Sequence, residues 1–244
     1  MCKQISGWRL INDMNDKVVL ITGGARGIGN TVAKFLAKEG ATVWITSRQA
    51  QQPHLISKIS SGEIGEVRLD VTDEKNVQAV FERMDTLYGK LDVLINNAGI
   101  SVFKPIEETT LKEWDDAFLT NMSGLFLCSK EAFKLMKGRG GRIINIGSVS
   151  GYIPIKENGA YGASKYAVRG FSKICNEEWK EQNVRVSIIN AGAVYTGMWN
   201  EREGFNPSDM LQPEDIAEAV VDIVRKPIHV RIDEIKILPS KGVL

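Results

Sequence analysis

Val18-Val19-Leu20-Ile21-Thr22-Gly23-Gly24-Ala25-Arg26-Gly27-Ile28-Gly29 is the stretch that decides the fold. Its first four residues are apolar and mostly β-branched, the mark of a strand buried on both faces. Glycines then lead into Val32, Ala33, Leu36 and Ala37 at helical spacing, and Gly40 follows where a helix-ending glycine is expected. A glycine turn between a strand and a helix places backbone N–H groups and a helix N-terminus where a pyrophosphate can sit. The spacing here is Gly-x-x-x-Gly-x-Gly, not the commoner Gly-x-Gly-x-x-Gly. Gly23 is expected to permit the tight turn, Gly27 to let a phosphate approach the backbone, and Gly29 to let the helix pack close to the strand.

The same alternation continues outward from this turn. Strands are expected at 42–46, 67–69, 91–95, 142–146, 184–189 and 232–238. Helices are expected at 73–88 (capped by the Asp73 side chain), 111–137, 159–181 and 213–225, the last with proline at its start. Strand and helix repeated in this way imply right-handed crossovers and a parallel sheet covered on both faces. The expected fold is α/β: a doubly wound Rossmann sheet of about seven strands with helices on both faces. Residues 17–244 form one expected domain. Residues 1–16 lack the pattern and any secretory apolar run and are expected to be an arm or a tail, with Met14 an alternative start; residues 1–13 are expected to be dispensable for catalysis.

Composition narrows the function. The chain has 244 residues, 31 basic against 30 acidic side chains and a net charge of +1, which gives no electrostatic case for nucleic acid or an anionic membrane. Cys2, Cys128 and Cys175 make neither a disulfide framework nor a metal spacing, and His54 and His229 stand far apart, so no metal site is expected. A reducing cytoplasm is the expected setting. Lys134, Lys137, Arg139 and Arg142 read as a solvated helix end.

Two further groupings carry chemistry. Tyr161 and Lys165 are four residues apart and share one face of a helix. A neighbouring ammonium is expected to lower the tyrosine pKa and fit it for proton transfer. Ser148 ends the fifth expected strand, at the carboxyl edge where open α/β sheets bind ligands, with its hydroxyl in position for a carbonyl oxygen.

Thr22-Gly23-x-x-x-Gly27-Ile28-Gly29, Asn96-Asn97-Ala98-Gly99, Ser148 and Tyr161-Gly-Ala-Ser-Lys165, in this order from Lys17 onward, resemble the short-chain dehydrogenase/reductase family. The resemblance implies that Tyr161 exchanges a proton with the substrate oxygen, Lys165 holds a nicotinamide ribose, Ser148 polarises the carbonyl and Asn121 supports a water in the proton relay. It implies cofactor contacts at Gly23, Arg26, Gly27, Ile28, Gly29, Asp70, Val71, Asn97, Ala98, Gly99, Tyr161, Lys165, Val194 and Thr196. Ala191 stands where the family usually has proline, so the loop beside the nicotinamide is expected to be less rigid.

The end of the second strand reads Thr46-Ser47-Arg48. Ser47 takes the place of the acid that would repel a 2′-phosphate, and Arg48 and Arg26 offer that phosphate planar cationic donors. The expected cofactor is therefore NADP(H). The substrate is expected to be a small-molecule ketone, aldehyde or secondary alcohol, and the resemblance implies a mainly apolar pocket built from 101–103, 149–158, Tyr195, Met198, Trp199 and Arg202. A 3-oxoacyl-[acyl-carrier-protein] reductase is the alternative enzyme, although the C-terminus lacks that group's glycine-rich ending. A non-catalytic NADP(H)-binding sensor or scaffold is the alternative class. Apolar residues on more than one face of the two long helices (Trp114, Phe118, Leu125, Phe133; Ala163, Ala167, Phe171, Ile174) imply a homodimer or homotetramer.

Overall fold

The computed structural model describes residues 14–50, 53–197 and 206–243. The expectation for residues 1–13, and the pocket positions Met198, Trp199 and Arg202, lie outside that range. Met14, placed in the tail by its sequence context, is 2% exposed and belongs to the hydrophobic core.

The chain runs β1 (Val18–Ile21), α1 (Gly27–Lys38), β2 (Thr42–Ser47), β3 (His54–Ile59), β4 (Gly62–Arg68), α2 (Glu74–Tyr88) and β5 (Val93–Asn96). It continues through α3 (Leu111–Phe118), α4 (Gly124–Met136), β6 (Gly141–Ile146), α5 (Gly159–Trp179), β7 (Val184–Ala191), α6 (Pro213–Arg225) and β8 (Glu234–Ile237). The strands form one sheet in the order β3-β4-β2-β1-β5-β6-β7-β8. Every neighbouring pair is parallel except β3 with β4. After β1 the chain builds outward to β4, then returns to lay β5 on the other side of β1. That reversal between β1 and β5 is the switch point at which doubly wound sheets leave a crevice beyond their carboxyl ends.

Alternating strand residues feed two cores. Val19, Ile21, Val43, Ile45 and Ile189 pack under α1 and α6 with Val32, Leu36, Val220 and Val224. Val18, Leu20, Trp44, Leu94 and Ile143 pack on the other face with Val77, Phe81, Met84, Cys128 and Met136. Asp73 caps α2 by accepting from the Lys75 and Asn76 N–H groups, as its sequence position suggests. Among the described residues, no helix is long and apolar enough to cross a membrane.

Several sequence expectations change. Among the described residues the sheet has eight strands, because β3 forms an antiparallel hairpin with β4 through positive φ at Ser60. His-Leu-Ile-Ser-Lys-Ile faces solvent at the sheet edge, so it carries no buried apolar run to announce it. The single helix expected over 111–137 breaks at Leu119–Ser123 into a widened π turn. Arg142 is not solvated; it is 4% exposed, and its Nη2 donates to Lys226 O at 2.7 Å and Pro227 O at 2.8 Å, beyond the end of α6. Desolvation holds its pKa down at about 10.

Candidate active site

The crevice at the switch point is a cleft of about 940 Å³, open mouth included. Its floor is made by the ends of β5, β6 and β7, and α5 forms one wall.

The glycine turn is braced from β5. Thr22 Oγ1 accepts from the N–H groups of Asn97 (3.0 Å) and Ala98 (3.1 Å). Asn97 Nδ2 returns two bonds, to Thr22 O at 3.1 Å and Gly23 O at 2.8 Å. Asn97 therefore shapes the turn with its amide hydrogens rather than holding them ready for a ribose. Gly23 has φ +64°, and a Cβ there would lie 2.9 Å from Ala98 Cα. A Cβ on Gly29 would lie 2.6 Å from Asn97 Nδ2. Neither position tolerates a side chain.

Beyond this turn, α1 begins with no side-chain cap and no acid in its first turn, so backbone N–H groups face the crevice without a competing acceptor. Positive helix-dipole potential and a cradle free of side chains suit the pyrophosphate of a dinucleotide.

Ser148 at the end of β6 and Tyr161 at the start of α5 both line the cleft, near enough for the serine hydroxyl to act on the phenol. Ser148 Oγ also accepts from the Ser150 N–H at 3.1 Å, which fixes its rotamer. One turn along α5, Lys165 is 7% exposed, donates to Ile146 O at 2.8 Å and lies 5.6 Å from the Tyr161 ring centroid. Burial drops its pKa to about 8, so near neutrality it is still mostly an ammonium. The sequence reading expects this cation to lower the Tyr161 pKa. The structure gives the opposite direction: burial pushes the phenol up, and the nearby Ser148 hydroxyl only partly offsets that.

Asn121 sits in the π turn, 1% exposed, and its amide is fully used. It donates to Ile100 O (2.9 Å) and Ser164 Oγ (3.0 Å) and accepts from the Ile100 N–H (2.8 Å). Its side chain ties the loop after β5 to α5 and does not line the cleft.

Ile28, Asn97, Gly99, Val194 and Thr196 line the cleft as well. Gly27 (φ +55°) faces Thr196 across it, since a Cβ on the glycine would lie 3.4 Å from Thr196 Cγ2. Arg26, Ser47, Arg48, Asp70 and Val71 stand apart, around the glycine turn and the ends of β2 and β4. Asp70 accepts from Thr72 Oγ1 at 2.7 Å and Thr72 N at 3.0 Å. Burial raises its pKa, but those bonds and the charges of Arg48 and Arg68 outweigh burial and leave it lowered. Ser47 is not a free donor. Its hydroxyl donates to Glu66 Oε1 at 2.8 Å and accepts from the Ala50 N–H at 3.0 Å.

Of the expected substrate-facing residues, Phe103, Val149, Ser150, Ile155 and Asn158 line the cleft, whereas Ser101, Val102 and Tyr195 do not. Phe103 tilts against Tyr161, with ring centroids 5.9 Å apart. Val243 joins this wall from the far end of the chain, a position that no local pattern announces. The Ile146 carbonyl that holds Lys165 is missed for a similar reason, since a backbone acceptor has no signature in side-chain chemistry.

A doubly wound sheet with a side-chain-free cradle at its switch point, and Ser, Tyr and Lys beside it, defines a nucleotide-binding oxidoreductase of Rossmann type. The sequence profile of the short chain dehydrogenase family matches residues 17–206. Cyclopentanol dehydrogenase of Comamonas sp. is 34% identical over 226 residues, covering 86% of this chain and 90% of its own. A metagenomic short-chain oxidoreductase solved with NADP superposes with a TM-score of 0.79 at 26% identity, covering 93% and 99% of the two chains. An alcohol dehydrogenase from the archaeon Thermococcus sibiricus, complexed with 5-hydroxy-NADP, gives a TM-score of 0.79 at 27% identity, covering 91% and 95%. The chain belongs to the short-chain dehydrogenase/reductase family.

Proposed function

We propose that this oxidoreductase transfers hydride between NADP(H) and a small ketone or aldehyde, or the corresponding alcohol. The observation that carries the reading is the gathering of Ser148, Tyr161 and Lys165 on one cleft wall, the ammonium one helical turn from the phenol and the glycine cradle opposite. In this reading the first turn of α1 receives the pyrophosphate, Lys165 the nicotinamide ribose, and Val194 with Thr196 the nicotinamide side. Asp70 and Val71 flank the adenine, and Arg26 with Arg48 takes the 2′-phosphate. The bound nicotinamide supplies or accepts the hydride.

The chain's own residues manage the oxygen. Ser148 donates to the carbonyl and draws charge onto its oxygen. Tyr161 gives that oxygen its proton, an elevated pKa making the phenol the stable form before reaction. The Lys165 ammonium then stabilises the phenolate that remains. Phe103, Val149 and Ile155 offer the substrate an apolar wall, which favours aliphatic or alicyclic carbonyls over charged ones. The cyclopentanol dehydrogenase relative adds support for that class.

NADPH oxidation across a panel of ketones, aldehydes and a 3-oxoacyl thioester tests this. The expected result is turnover of an apolar ketone such as cyclopentanone. Selective use of the thioester would favour the acyl-carrier reading, and no turnover of any member would overturn the enzyme assignment in favour of a sensor. A reducing cytoplasm suits Cys128 and Cys175, which are free and buried, with burial raising each thiol to about 12.

The protein is also expected to self-associate. On α3, α4 and α5 together with the adjoining π turn, Leu111, Trp114, Leu119, Phe126, Tyr166 and Ile174 are between 40% and 74% exposed, a set of apolar side chains that a partner surface would cover. Leu125 and Phe133, which the sequence places with them, are instead packed inward. Light scattering at micromolar concentration should give a dimer or tetramer of the 27.0 kDa chain; a monomer alone would contradict this.

A further inference from the structure

The end of β2 carries no acid of its own, but the strand beside it supplies one. Glu66 on β4 stands in register with Ile45, two residues before Ser47 on β2. Paired residues of parallel neighbours share a sheet face, as do residues two apart on one strand. Glu66, Ile45 and Ser47 therefore project to the same side. That side is the one occupied by the glycine turn, since a Cβ on Gly24 would lie 2.6 Å from Ile45 Cβ. There Glu66 Oε1 takes the Ser47 hydroxyl hydrogen at 2.8 Å. Arg68 is in register with Ser47 itself. The charges of Arg48 and Arg68 both reach Asp70, so the ends of β2 and β4 gather cations and carboxylates within one small region.

We propose that Glu66 is a specificity-determining residue for the cofactor, a carboxylate delivered from β4 to the position where an acid ending β2 would otherwise act. The inference rests on reading the ends of β2 and β4 as the site of the adenosine ribose. Glu66 acts there in two ways. It occupies the hydrogen that Ser47 would otherwise donate to a phosphate oxygen, and it sets a negative charge within hydrogen-bond reach of the same hydroxyl. A ribose bearing two free hydroxyls offers donors to that carboxylate, whereas a 2′-phosphate offers only acceptors and more negative charge. Arg26 and Arg48 pull the other way. Glu66 thus limits a preference for the phosphorylated cofactor that the arginines create, and it keeps the unphosphorylated one usable.

The test uses the full chain and two small probes, 2′,5′-ADP and 5′-AMP, whose binding is measured by calorimetry without turnover. Glu66→Gln removes the charge, keeps the shape and leaves Ser47 a neutral partner. It should tighten 2′,5′-ADP by about tenfold, the effect of removing one repulsive charge interaction of ordinary size. The affinity for 5′-AMP should stay level or fall. The ratio of kcat/KM for NADPH over NADH should rise in parallel, through KM. Glu66→Ala carries the same expectation should the glutamine variant fold poorly.

Arg48→Ile is the control. If it weakens 2′,5′-ADP while neither Glu66 variant alters the discrimination, the role of Glu66 is overturned and the ribose-site reading stands. If none of the three variants alters the discrimination, the ribose-site reading itself fails and takes the proposal with it. A purely structural role for Glu66 would weaken both probes equally, which also overturns the proposal.

Discussion

Tyr161→Phe is expected to lose nearly all turnover while NADP(H) still binds. The substitution removes one hydroxyl and leaves the ring beside Phe103 and the ammonium of Lys165 in place. What disappears is the proton that the proposed reaction transfers to the carbonyl oxygen. A positioned general acid contributes roughly 10²–10⁴-fold to rate, so kcat should fall by that factor with the cofactor dissociation constant nearly unchanged. Lys165→Met should behave differently, damaging cofactor binding and rate together, because the same ammonium serves the ribose and the phenolate. Stopped-flow turnover together with fluorescence titration of NADPH separates the two patterns. Full activity in the phenylalanine variant would dismantle the assignment.

The second large effect concerns the cofactor. The unmodified enzyme should prefer NADPH to NADH by at least about tenfold, since charge-assisted hydrogen bonds from Arg26 and Arg48 are worth about 1.5–3 kcal/mol each. Ser47→Asp combined with Arg48→Ile should move the kcat/KM ratio towards NADH by about a hundredfold, deleting one such bond and adding like-charge repulsion. The introduced carboxylate would stand beside Glu66, doubling the negative charge facing the ribose. Measuring kcat/KM with both cofactors decides the matter. Equal or better values with NADH in the unmodified enzyme would refute the reading.

How much of this was legible from the residues follows from the physics of each part. The parallel core strands announce themselves because burial on both faces demands unbroken apolar runs, as at 18–21 and 143–144. The α6 boundaries are legible because Pro213 starts that helix and its periodic apolar face ends at Arg225. The proposed catalytic pair Tyr161 and Lys165 is legible because the two are close in sequence and their helix fixes their spacing.

Edge strand β3 is not legible, since a half-solvated strand at a sheet margin has no compositional mark. The π turn at Leu119–Ser123 is hidden because one extra residue in a helical turn barely disturbs an apolar pattern. The burial of Arg142 depends on β6 passing the end of α6, far away in sequence. The Ser47–Glu66 contact is likewise a product of strand register, and the residues around Ser47 read alone give a donor that the folded chain has already used. The upward direction of the Tyr161 pKa has the same origin. Spacing places the ammonium nearby, but how much water the phenol loses is decided by the surrounding packing.

The brace from Asn97 and Thr22 to the glycine turn has a thermodynamic consequence. Glycines are the residues with the most backbone freedom to lose, and ordering each one costs about 1–2 kcal/mol. A turn that acquired its shape only on meeting a phosphate would subtract that entropy from the affinity. Here the loss is met during folding, through hydrogen bonds from β5 that exist whether or not anything occupies the crevice. Binding free energy can then go into discriminating one nucleotide from another rather than into building the receptor.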